Sequence, residues 1–217
     1  ACIARARKLA TQALREGQHG SMHDARAQLW QLLASAFLNL GDSTRAEQLL
    51  NLALDWSVEA HQIEYELWER APALSSPLRH DWDFGQELAD SVQARVAETA
   101  EIRYQLGRVL LSSEGSERRA IQLLEQAAAD FWDASGTDEP YGSVMVLLCQ
   151  ALERVGKVLD AAQRAIQLYC DMGDKGGQNV VDVVKSMWSA CQKAGLAHQL
   201  RAEAAGMNIT DPAREAP

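Results

Sequence analysis

The feature that most constrains this chain is a spacing. Trp30, Leu33, Ala34 and Phe37 lie three and four residues apart, Gly41 follows, and Ala46, Leu50 and Ala53 resume the interval beyond it. A helical period of 3.6 puts each set on one face. The stretch therefore encodes two amphipathic helices, over 24–40 and 43–56, joined by a turn at Gly41-Asp42. Asp42 or Ser43 can cap the second helix, because a short polar side chain accepts a hydrogen bond from a free backbone N–H. Ala34 and Ala46 are small where the two helices cross. Trp30, Leu33, Phe37, Leu49 and Leu50 are expected to fill the space around that crossing.

The unit recurs. Gly115, Gly156 and Gly195 stand 41 and 39 residues apart. Leu106-Gly107 and Leu148-Cys149 repeat the large-small pair of Leu33-Ala34; Ala120, Leu124 and Ala127 repeat the pattern of the following helix, and Ala161 stands at its small position. The pattern predicts further helices over 2–17, 58–71, 144–156, 159–169 and 178–194, with a short polar one over 197–206. From 84 to 112 it is helical almost without a stop. A break is expected near 98–100, where Glu98-Thr99 can start a new helix; one long helix is the alternative. Pro72 and Pro77 interrupt the pattern, since proline lacks the N–H a helix needs. They mark an insertion over 71–83 that carries His80-Asp81-Trp82-Asp83.

Composition narrows the function classes. Of 217 residues 47% are apolar, enough for a core, and the formal net charge is -9. An acidic chain is a poor match for nucleic acid, which calls for a basic surface. No run of 18 apolar residues occurs, so no transmembrane helix and no membrane partner are expected. Cys2, Cys149, Cys170 and Cys191 form no C-x-x-C pair and read as buried free thiols of a reducing, cytoplasmic setting. His19 and His23 have a ligand spacing, but Gly20-Ser21 between them argues for a loop. Gly173 to Gly177 lacks the Lys-Ser/Thr of a phosphate loop, and no nucleophile elbow is present. No catalytic residue, metal ligand or cofactor is expected.

The Trp30–Ala53 stretch resembles the tetratricopeptide repeat (TPR) family at nearly every patterned position. The near-40 spacing and the Gly173-Asp174-Lys175-Gly176-Gly177 joint resemble the long repeats of bacterial signalling regulators and kinesin light chains. The resemblance implies an all-α fold, an α-α superhelix of antiparallel helix pairs in a right-handed solenoid. It also implies one domain over 1–207: a clear repeat at 27–60, an irregular one with the insertion at 61–99, repeats at 100–141 and 142–180, and a cap at 181–207. Residues 208–217 read as a flexible tail.

The same resemblance implies a non-enzymatic scaffold that binds a protein or peptide in a concave groove lined by the first helix of each pair. Carried onto this chain, the groove positions include Gln28, Gln31, Ser35 and Asn39, then Glu101, Tyr104 and Arg108, then Gln150 and Arg154, then Lys185, Ser189 and Lys193. The four basic residues among them point to a partner with acidic residues or a free C-terminal carboxylate. Gln31 and Ser35 stand where chaperone-binding members carry a Lys/Asn clamp, so chaperone binding is not expected. Open solenoid ends make self-association an option. The alternatives are a regulatory domain of a larger signalling protein, either a transcription regulator or a STAND-type ATPase, and an enzyme using the 71–83 insertion. The resemblance of 2–17 to the second helix of a repeat implies a start in mid-repeat, and this expectation, with the Gly-Asp joints, favours the regulatory domain.

Overall fold

A computed structural model describes residues 22–74, 82–136, 139–172 and 177–206. The helix expected over 2–17, the insertion around His80, the joint at 173–176 and the tail lie outside the described residues. Those residues form eight α-helices and no strand, and fall into two compact units that divide between Ser112 and Ser113.

The first unit contains α1 (Met22–Asn39), α2 (Ser43–Leu74) and α3 (Trp82–Leu111), with α2 packed against both neighbours. Asp42 caps α2: its Oδ1 accepts a hydrogen bond from the Arg45 backbone N–H at 3.1 Å. Ala34, Ala46, Leu50 and Ala53 are fully buried, so α1 and α2 meet across small residues as their spacing requires. Trp30, Leu33, Phe37 and Leu49 are only half-buried, contrary to the expectation that they fill the crossing. Phe37 shows why partial exposure is tolerated, since the Arg45 guanidinium lies 5.5 Å from the centre of its ring.

Two expected helix boundaries are absent. The helices expected over 43–56 and 58–71 are one 32-residue helix, α2, with no glycine or proline before Pro72 to interrupt it. The break expected near 98–100 also falls inside a continuous helix, the 30-residue α3. Thr99 does not cap. Its hydroxyl donates to the Arg95 carbonyl one turn back at 2.9 Å and lies 2.7 Å from the Ser57 hydroxyl of α2. With the Thr99 proton used on Arg95, Ser57 is the donor in that second contact. Both residues are buried, so a hydroxyl pair takes the place of a helix boundary.

The second unit contains α4 (Glu117–Ser135), α5 (Glu139–Arg154), α6 (Val158–Met172), α7 (Gly177–Lys193) and α8 (Ala197–Gly206). Each helix packs on the next, and α5 also meets α7 while α6 meets α8. Layered contact of this kind lets α5, α6, α7 and α8 each bury a face against two or three others, while α4 packs chiefly on α5. The α5–α6 turn closes at Gly156, whose φ of 79° is a left-handed conformation open chiefly to glycine. Its N–H donates to the Glu153 carbonyl and the next N–H, Lys157, donates to Leu152, both at 2.9 Å. This double closure satisfies carbonyls that a helix end otherwise leaves bare. The same pair of bonds closes α1 at Gly41 and α7 at Gly195.

The three hairpins share a register as well as a turn. The residues seven before and five after the glycine are buried in each: Ala34 and Ala46, Cys149 and Ala161, Trp188 and Leu200. Leu200 anchors α8 while His198, Gln199 and Arg201 around it are exposed, the polar outer face expected of a short last helix.

The Ser57–Thr99 contact gives an asymmetric prediction. Thr99→Val strands the Ser57 hydroxyl and should cost about 1–3 kcal/mol, whereas Ser57→Ala removes one donor and should cost about 1 kcal/mol. Urea unfolding with an unchanged m-value checks both the order and the size.

Candidate functional site

A cavity of about 420 Å³ opens in the first unit between α1 and α3. Gln28 and Gln31 line it from α1, and Ser91, Ala94, Arg95, Glu98 and Glu101 from α3. Three of these seven, Gln28, Gln31 and Glu101, are groove positions assigned from the sequence. The wall is built around Arg95, only 6% exposed, which makes a 2.7 Å ion pair with Glu98 one turn on. Burial makes such a pair costly unless both charges are well satisfied. The Thr99–Arg95 bond and the Ser57–Thr99 contact fix the same turn of α3 behind it. Glu101 accepts from the Gln105 amide at 2.8 Å. The cavity therefore presents amide, hydroxyl and carboxylate groups on its wall.

The remaining assigned residues of this unit lie along the same two helices. Ser35 and Asn39 are exposed, four and eight residues beyond Gln31, and so continue its face of α1. Arg108 is exposed on α3 with its guanidinium 5.6 Å from the centre of the Tyr104 ring. In the second unit Gln150 and Arg154 are exposed on α5, and Lys185, Ser189 and Lys193 on α7, two helices that pack together. None of these lines a cavity described here.

The second unit has a different concavity, a cleft of about 320 Å³ among α4, α5 and α6. The sequence reading missed it, and none of the assigned groove residues takes part. Ala128, Ala129, Met145 and Leu148 supply apolar lining, Trp132 and Tyr141 aromatic walls, and Glu125, Asp133, Arg164 and Gln167 polar groups. The two rings meet at 5.4 Å with a 58° tilt. The Tyr141 hydroxyl donates to Asp171 Oδ2 at 2.7 Å. Burial and that bond to a carboxylate hold its pKa well above the ordinary tyrosine value. Trp132 is 45% exposed although its period places it on a helix rich in apolar residues. Such a large ring left partly open beside a second ring was the one signal available, and it needs the α5–α6 pairing to be recognised.

The cysteines divide. Cys149 and Cys191 are buried as expected, and burial pushes the Cys149 thiol up to about 12, against the opposing charge of Arg164. Cys191 donates weakly to the Val158 carbonyl at 3.6 Å. Cys170 is exposed, contrary to expectation, because it lies with Tyr169 on the outer side of α6, past the buried Leu168. No helix among the described residues is long and apolar enough to cross a membrane.

No family model and no curated protein matches the chain. Among solved structures, the crystal structure of BtubC (BKLC) from P. vanneervenii is similar with a TM-score of 0.42 and 18% identity, covering 97% of this chain and 92% of that one. A likeness of that degree bears no weight for fold or function.

Two outcomes follow from the thiols and Tyr141. A disulfide-exchange reagent at neutral pH should label Cys170 in the folded chain but reach Cys149 and Cys191 only on unfolding, read by mass spectrometry of the digest. The Tyr141 pKa is raised on folding, so its contribution is present below the unfolded value of 10.0 and declines as pH rises beyond it. The stability loss of the native chain above about pH 10 should be shallower in Tyr141→Phe, measured by urea unfolding across that range.

Proposed function

We propose that this chain is a TPR-like helical-repeat scaffold that binds a protein or peptide without chemistry of its own. The observation that carries the reading is the first unit's cavity, where Gln28, Gln31 and Glu101 line one concave space. Those positions were assigned to a ligand groove from repeat register alone. The shared register of the three glycine-closed hairpins supports the same reading, since a repeat architecture reuses one crossing. Two glutamines three residues apart on one face of α1 match the amides of an extended peptide, with a donor and an acceptor on each. In the first unit the exposed Arg108, and separately in the second the exposed Arg154, Lys185 and Lys193, favour a peptide with acidic residues or a free carboxylate terminus.

Panning a random-peptide display library on the full chain tests this. Enriched peptides should be acidic, and binding measured by calorimetry should weaken about tenfold in Arg108→Glu and in Lys185→Glu while the helical circular dichroism is unchanged. Binding that survives both charge reversals would remove the groove assignment. A library with no enriched sequence would count against the scaffold reading itself.

A further inference from the structure

We propose that the α4–α6 cleft of the second unit is a binding site for a carboxylate that carries an apolar arm, distinct from the groove above. Its donors are unspent. Among the described residues the Trp132 indole N–H meets no acceptor, and Arg164 makes one hydrogen bond, from Nη1 to Gln167 Oε1 at 3.2 Å. The approach of Arg164 to Glu125 is 3.8 Å, too long for a hydrogen bond, and both side chains are more than 40% exposed. A loose exposed pair of this kind holds its partners weakly, so a carboxylate able to take two guanidinium N–H groups side by side can displace Glu125. The Tyr141 hydroxyl is committed to Asp171 Oδ2.

The rest of the lining is the complement. Met145 and Leu148 are buried beneath the cleft, and the Trp132 ring stands open beside them. About 320 Å³ lies at the small end of ligand-site volumes and holds one compact group, not a length of chain. The ligand thus carries its charge and its apolar arm close together. An Asp or Glu within an extended peptide does not, because its apolar neighbours point to the opposite side. A free aryl or aliphatic acid, or the last residue of a peptide, does. Glu125 and Asp133 oppose the anion, which sets the sign of a second effect: removing one of these charges strengthens binding.

The probes are 3-phenylpropionate, 3-phenylpropionamide and acetyl-Gly-Phe, titrated into the full chain while the Trp132 indole N–H resonance, assigned with Trp132→Phe, is followed by NMR. 3-Phenylpropionate should shift that resonance saturably, and the amide should bind about tenfold more weakly. Arg164→Gln should bring the acid down to the level of the amide, and Glu125→Gln should tighten it about two- to fivefold. Tighter binding of acetyl-Gly-Phe than of the free acid assigns the site to a peptide end; the reverse order assigns it to a small acid. The proposal is overturned if acid and amide bind alike, if neither binds, or if Glu125→Gln weakens the acid. The acid–amide comparison uses the unaltered chain, so it holds even where a variant fails to fold. Loss of this site would leave the first unit's groove untouched, and the converse also holds.

Discussion

Close approach of helix backbones is the constraint on which the architecture depends. Where α1 crosses α2, and where α5 crosses α6, the residues at the shared positions are Ala34 and Ala46, then Cys149 and Ala161, all without exposed surface. Small side chains let two helices come near enough for the flanking larger ones to interdigitate. The glycine closures serve that contact. A three-residue link with a left-handed glycine reverses the chain in little space and delivers the next helix at a fixed phase. α7 and α8 keep the phase but place Trp188 and Leu200 at the same two positions, so the device sets register while the side chains set separation.

Much of this was legible in the sequence, and the part that was not has a physical pattern. The turns at Gly41, Gly156 and Gly195 and the small residues around them were readable because each rests on local rules, backbone sterics and helical period. The continuity of α2 and α3 was not. At Thr99 a residue suited to capping also suits a buried contact, and only the position of Ser57, 42 residues earlier, decides between them. Phe37 misled in the opposite direction, since an aromatic residue at a patterned position suggests full burial and the neighbouring Arg45 cation stands in for it.

The candidate sites divide along the same line. Gln28, Gln31 and Glu101, singled out by the resemblance to a repeat family, line one cavity, because residues spaced along a helix face share its surroundings. The cleft around Trp132, Tyr141 and Arg164 takes one piece from each of three helices, at no fixed interval in the chain. It exists only through the packing of α5 between its neighbours, so no single amphipathic pattern signals it.

The hydroxyl contact between Ser57 and Thr99 also bears on alignment along the helix axis. Two long helices packed through apolar faces can slide by one turn, about 5.4 Å, at little change in buried area. A pair of buried hydroxyls abolishes that freedom, because a one-turn slip would set each against hydrocarbon. The pair therefore works as a pin: among the sliding arrangements open to α2 and α3 it selects one, and with it the height at which Arg95 and Glu98 enter the cavity wall.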